Sequence, residues 1–307
     1  MNKKIAVVGS SNMDLVMKVP RIPQPGQTVP GGVFSQSAGG KGFNQALAAA
    51  RAGGDVSFIS CLGTDNFAED IMARLEENNV DTINVFQVSG VYTGTAIITV
   101  DDQGENSISI APGANYHLNE RHIVKASPAL QEARVILLQG ELHPDILRYV
   151  LQWTSKEKKK VMLNLAPAQP LEKEYLNRLA LLVINEVEAS ELLGQQVIGP
   201  DQSKKAAETL AHISRGGVII SMGENGSYLV KGDLKETVPA FQVKTVDITG
   251  AGDVYCGSLA AALVEGMSVL EAMRFATAAA AISVTRLGAQ PSIPFRHEIE
   301  RFLASRN

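Results

Sequence analysis

The sequence predicts an α/β fold: a doubly wound, mostly parallel sheet flanked by helices, with a small antiparallel β lid. Three observations carry this reading. Short apolar runs without strict alternation recur along the chain, as in strands buried on both faces of a parallel sheet. Patterns of helical spacing fall between them, in the strand–helix–strand order of a doubly wound domain. Two stretches, 13–38 and 92–112, break that rhythm with half-buried alternation and no helix signal.

In order, the strand candidates are 4–9, 56–62, 135–139, 161–165, 181–185 and 217–222. The helix candidates are 43–52, 66–78, 145–155, 186–193 and 203–215. A further helix, 254–264, is apolar on every side and stops at Gly266. Within the irregular stretches, the runs 95–100 and 107–110 flank a turn rich in Asp, Gly and Asn, which is a hairpin signal. So small a sheet cannot bury both faces alone, and is expected to cover a cleft or pair with a second subunit. No repeat, low-complexity tract or linker divides the chain, so 1–307 reads as one domain carrying this lid.

Composition narrows the function classes. The chain is 45% hydrophobic and 20% charged, with a net charge of −4, so it has no electrostatic footprint for nucleic acid or an anionic membrane. No stretch approaches the roughly 20 apolar residues of a membrane helix, and the run 5–8 is too short for a signal sequence. Cys61 and Cys256 make no disulfide framework; they read as small buried hydrophobes in a reducing, cytoplasmic setting. The five histidines are scattered and none falls in a zinc-binding spacing.

The most informative stretch runs from Asp247 to Asp253, Asp-Ile-Thr-Gly-Ala-Gly-Asp, directly before the apolar helix. Gly250 and Gly252 let the backbone turn so that successive N–H groups point at one spot, and the helix N-terminus adds unpaired donors. Together they form an anion site. Asp253 is a carboxylate placed where a phosphate should go. In isolation it reads as a helix cap. The alternative is a general base beside an anion hole, taking a hydroxyl proton while Gly250, Ala251 and Gly252 stabilise a transferring phosphoryl group. Neither a Walker A loop nor a dinucleotide fingerprint is present, so a phosphate site, if there is one, is this segment.

Two further clusters suit a polyhydroxylated ligand. Ala38 to Gln45 combines the glycines Gly39, Gly40 and Gly42 with Lys41, Phe43 and Asn44 at the start of a helix. Lys41 supplies donors and Asn44 both donors and an acceptor. Alone, the cluster reads equally as a lid hinge. Asn12, Met13 and Asp14 follow the first strand, at the strand end where open α/β sheets bind ligands; an Asx-turn is the plainer reading.

Taken together and in order, these segments resemble the ribokinase family of carbohydrate kinases. The likeness extends through Gly140-Glu141, Asn185 to Glu188, Met222 to Gly226, and the tail from Ala279 to Ser292. It implies that Asn12, Asp14, Gly40, Lys41, Asn44 and Glu141 hold sugar hydroxyls, with Met13, Gly42 and Phe43 bordering them. It implies Asp253 as the base for a primary hydroxyl. Asn185 and Glu188 match an N-x-x-E motif that positions Mg²⁺ through water. Ser221, Met222, Gly223, Glu224, Asn225, Gly226 and Thr277 would border ATP, with Asn185, Gly252 and Asp253. The activity implied is phosphorylation of the 5-hydroxyl of D-ribose, by a homodimer joined through the lid sheets. A related sugar or nucleoside kinase, or a weakly catalytic sugar sensor, are the alternatives.

Some positions depart from the family pattern. Phe43 stands where alanine is common, Val254-Tyr255-Cys256 where Thr-Phe-Asn is usual, and Ile184 where proline often precedes the motif asparagine. A K⁺ site is also expected beside the anion hole. Asp247 and Thr249 would meet Ser283, Arg286, Gly288 and Ser292 there, offering hard oxygen ligands of low total charge. The plainer reading is that Asp247 caps the turn.

Overall fold

The computed structural model describes residues 3–306. The main sheet has nine strands: β1 (Lys4–Val8), β4 (Asp55–Leu62), β5 (Val85–Gln87), β8 (Val135–Gln139), β9 (Val161–Asn164), β10 (Leu181–Asn185), β11 (Val218–Ser221), β12 (Ser227–Lys231) and β13 (Leu234–Val238). The lid is a second sheet of β2 (Asn12–Lys18), β3 (Val33–Gly39), β6 (Gly94–Val100) and β7 (Asn106–Ala111). The main sheet runs β13-β12-β11-β10-β9-β8-β1-β4-β5, and every pair from β11 to β5 is parallel. The chain builds outward from β1 on one side and then from β8 on the other. The switch point between β1 and β8 is where such sheets open a ligand crevice, at the strand C-terminal ends.

The strand residues alternate between two apolar cores. From β1, Ile5 and Val7 enter the core with helices Lys41–Arg51, Ala251–Glu265 and Val269–Ser283, while Ala6 and Val8 enter the one with Pro144–Lys156 and Gly199–Ala211. Burial on both faces explains the continuous apolarity of these strands.

The structure adjusts the sequence reading in four places. β12 and β13 extend the sheet with antiparallel pairs. The helix expected at 203–215 is Gly199–Ala211, because Pro200 is accommodated in its first turn. Residues 279–283 of the tail close the helix Val269–Ser283, capped by Ser268 and Glu271. In the lid both outer pairs are antiparallel, but β2 and β6 pair in parallel at its centre. Among the described residues, no helix is long and apolar enough to cross a membrane.

Candidate active site

The turn before the helix Ala251–Glu265 forms as the glycines require. Gly250 has φ 74°, the left-handed conformation glycine adopts without strain. The N–H of Ala251, one of the three expected at the anion hole, donates back to the Ile248 carbonyl at 3.2 Å. The amides of Gly250, Gly252 and Asp253 have no protein acceptor among the described residues. A Cβ at Gly252 would meet nothing within 4 Å, so this backbone borders open space. That space is a cleft of about 240 Å³ lined by Lys41, Asn185, Glu188, Ser221 and Gly250 to Asp253.

Asp253 is only 5% exposed. Its Oδ2 accepts from Nδ2 of Asn44 at 3.1 Å and its Oδ1 from Nε2 of Gln45 at 2.9 Å. Both donors lie on the helix Lys41–Arg51, which meets the Asp253 helix closely at Gly257. A Cβ there would come within 2.4 Å of the Gln45 carbonyl oxygen. Asn44 keeps a buried Oδ1 with no partner.

Carboxylates crowd the crevice. Burial, then the charges of Glu141 and Asp253, push Asp14 up from the ordinary 3.8 to about 7. Gly39 makes room for it, since a Cβ there would fall 2.2 Å from Asp14 Oδ2. Glu141 accepts from the Ser10 hydroxyl and from the Lys41 N–H at 3.0 Å, tying the β8 end to the β1 end and the helix start. Asp253 above all, then Glu141 and Glu188, hold the Lys41 ammonium more firmly protonated than usual. Asn12 is fixed by Asn115, whose Nδ2 donates to Asn12 Oδ1 at 2.8 Å.

Met13 and Phe43 differ from expectation. Strand alternation turns Met13 to the face opposite Asn12 and Asp14, and both Met13 and Phe43 are sealed in the core at 1% and 0% exposure. The Phe43 ring is therefore not exposed to the crevice. Thr277 is buried, with its hydroxyl donated to the Met273 carbonyl at 2.8 Å, and it does not line the cleft. Met222 is buried too, while Gly223–Asn225 forms a short helical turn beyond Ser221 and closes at Gly226.

Asn185 and Glu188 form a capping box. Asn185 Oδ1 accepts from the N–H groups of Val187 and Glu188, and one Glu188 oxygen accepts from the Asn185 N–H at 2.7 Å. Burial pushes Glu188 up even so, with Lys41 acting in the opposite direction. A desolvated carboxylate with one oxygen unused at the cleft wall suits a hydrated divalent cation. Among the described residues no group of three or more His, Cys, Asp or Glu could hold a metal directly, so water and phosphate would supply the other ligands.

The tail does return to the glycine turn. Asp247 Oδ1 accepts from the N–H and hydroxyl of Thr249, and Oδ2 accepts from the Gly288 N–H at 2.8 Å. Partial burial works against ionisation, but these hydrogen bonds outweigh it and hold Asp247 below the usual carboxylate range. Ser283 and Ser292 turn their hydroxyls to the Ala280 and Ala289 carbonyls, and the Arg286 guanidinium pairs with Glu298. Those three could offer a cation only backbone carbonyls, or a lone pair of an engaged hydroxyl.

A cleft bordered by open backbone amides, a buried carboxylate held by two amide donors and a neighbouring group of carboxylates fit a phosphotransferase for a hydroxylated substrate. The comparisons agree. A pfkB family carbohydrate kinase model matches residues 2–296, and the chain belongs to that family. It is 39% identical to the ribokinase of Haemophilus influenzae over 303 residues, 99% of each chain. It is 35% identical to the deoxyribokinase of Salmonella typhimurium, over 98% of each. The structure of Arabidopsis thaliana ribokinase complexed with ribose and ATP superimposes with a TM-score of 0.90 at 31% identity, covering 99% of both chains.

Proposed function

We propose that this chain transfers the γ-phosphoryl group of ATP to the primary 5-hydroxyl of D-ribose, giving ribose 5-phosphate and ADP. The observation that carries the reading is a surplus of acceptors around one carboxylate. Asp14, Glu141, Asp253 and the unpaired Oδ1 of Asn44 lie at one crevice and need hydroxyl donors. A polyol supplies them. In the reaction the 5-hydroxyl oxygen bonds to the γ-phosphorus while its proton passes to Asp253. The bond from phosphorus to the β,γ-bridging oxygen breaks, and its electron pair leaves on ADP. The open amides of Gly252 and Asp253 receive the charge spread over the transferring group, and Lys41 adds a cation at the cleft wall.

Mg²⁺, held through water by Glu188 and Asn185, would neutralise charge on the ATP phosphates. K⁺ beside Asp247 and the carbonyls of Thr249, Ser283, Arg286 and Gly288, with Ser292, would order the glycine turn. The lid suits a homodimer. The face carrying Asp14 also carries Val16, Ile98, Ile108 and Ile110, of which Ile108 and Ile110 are more than half exposed. Sedimentation of wild type and Ile110→Asp should give a dimer and a monomer. A cytoplasmic location agrees with two free, buried cysteines.

The deciding experiment is ATP consumption across D-ribose, 2-deoxy-D-ribose, D-fructose and adenosine, with the product's phosphate position read by NMR. Ribose should give the highest kcat/KM and a 5-phosphate. A higher kcat/KM for any other acceptor overturns the ribose assignment, and deoxyribose is the specific rival, given the 35% identity to a deoxyribokinase.

A further inference from the structure

Behind Asp253 lies a chain of buried amides that no role in sugar, ATP or metal binding accounts for. Gln45 and Gln139 are both fully buried at 0% exposure, and Asn164 is at 8%. Nε2 of Gln45 donates one hydrogen to Asp253 Oδ1 and the other to Asn164 Oδ1, both at 2.9 Å. Oε1 of Gln45 accepts from Nε2 of Gln139 at 2.9 Å. Asn164 Nδ2 in turn donates to the Val183 carbonyl at 2.9 Å.

The chain runs in one direction only. The Val183 carbonyl can only accept, so Asn164 must present its oxygen to Gln45. Turning the Gln45 amide over would set its oxygen against two acceptors and its nitrogen against the Gln139 donor. The orientation of Gln45 is therefore fixed by its neighbours, which resolves the usual ambiguity of an amide side chain. Three strands, β8 through Gln139, β9 through Asn164 and β10 through Val183, converge on one hydrogen bond to Asp253 Oδ1. Two glutamines and an asparagine inside apolar strands and a core helix are costly unless satisfied; every polar atom of Gln45 and Asn164 is partnered, Oε1 of Gln139 is buried without a partner, and the chain of donors ends on a carboxylate at the cleft.

We infer that Gln45 is a positioning residue for the phosphoryl-transfer base, aimed by Gln139 and Asn164, so that Asp253 keeps one rotamer with a lone pair open to the substrate hydroxyl. The inference rests on the reading of Asp253 as the base. Asn44 alone leaves the carboxylate free to swing about its Oδ2 contact. The second bond to Oδ1 removes that freedom before substrate arrives, and misplacing a reacting group by a small distance is costly in rate.

The test compares wild type, Gln45→Met, Asp253→Asn and the double variant. Gln45→Met keeps the length of the side chain and removes both donors. It should lower kcat by about 10- to 100-fold with the KM values for ribose and ATP within threefold. In the Asp253→Asn background it should cost less than twofold more, because the group it positions is no longer a base. Gln139→Met, which leaves Gln45 in place, should show a smaller loss of kcat and the same non-additivity, and it serves if Gln45→Met does not fold. Retention of wild-type kcat in both glutamine variants, or losses that multiply with Asp253→Asn, overturns the positioning role. An active Asp253→Asn, above half the wild-type kcat, instead overturns the base itself, so the two failures are distinct.

Discussion

Asn44 Nδ2 donates to Asp253 Oδ2 at 3.1 Å across 209 residues of sequence, while Oδ1 of the same Asn44 is buried without a partner. One end of the amide orients the carboxylate and the other waits for a donor. Leaving a buried acceptor unmet costs about 1–3 kcal/mol, and at the edge of a crevice a ligand hydroxyl would supply the missing hydrogen bond. Asn44→Ala should therefore weaken ribose binding by about tenfold, the equivalent of about 1.4 kcal/mol. Calorimetry with ribose, and separately with ATP, checks this. Unchanged ribose affinity would remove Asn44 from the sugar site.

Asp253→Asn preserves the shape of the side chain and an acceptor at the helix start, but not the basicity. We expect kcat to fall by about 10²–10⁴ with little change in melting temperature or ATP affinity. A variant retaining more than half of the wild-type kcat would leave Asp253 as a helix cap and nothing more.

Asp14 makes the pH dependence specific. Its folded-state pKa of about 7 lies above the ordinary 3.8, so between these values the folded state holds a proton that the unfolded chain has released. Stability from this group is thus greatest below about pH 4 and declines as pH rises toward 7. Asp14→Asn should raise the melting temperature much more at pH 8 than at pH 4.5, measured without ligand. Ribose hydroxyls favour the ionised acceptor, so ribose should bind more tightly at pH 8 than at pH 6, with proton release. In Asp14→Asn that pH dependence should vanish, and affinity should fall at least tenfold. A flat pH profile in wild type would remove Asp14 from the sugar contacts.

The fold was legible wherever burial imposes a period. Strands β1, β4, β8, β9, β10 and β11 are mostly apolar without strict alternation because both faces are covered, and each lies within two residues of its expected bounds. β12 and β13 were not legible, since β13 is an exposed edge whose side chains carry little pattern. The helix Val269–Ser283 is buried nearly all round, which erases the amphipathic spacing that betrays a surface helix. At the site, the glycine turn and the N-x-x-E box were readable because their backbone chemistry demands particular residues. Phe43 and Met13 were misread because adjacency in sequence does not give direction, and alternation turns Met13 away. Gln139 and Asn164 carried a usable signal: a lone amide in a strand buried on both faces must have a partner. Asn115 and Ser10, on connecting segments, had none.

Asp247 joins the glycine turn to the tail through Thr249 and Gly288, and this sets the terms for a monovalent cation. Both carboxylate oxygens already accept hydrogen bonds, so a cation there would complete a turn that is largely built. It would add neutralisation of a carboxylate held firmly in its ionised form. K⁺ suits such a place because it is weakly hydrated and tolerates irregular carbonyl ligands, whereas Mg²⁺ demands tight octahedral geometry. Its effect would be to hold Thr249 to Gly252 in the conformation that aims the Gly252 and Asp253 amides, without contact with phosphate. At equal ionic strength, K⁺ should raise kcat or lower KM severalfold over Na⁺. Asp247→Ala should abolish the response and also loosen the tail, seen as faster amide exchange at Gly288. Should the variant lose the Gly288 protection while wild type runs at identical rates in potassium, sodium and tetramethylammonium buffers, Asp247 is a structural clasp and the cation site falls.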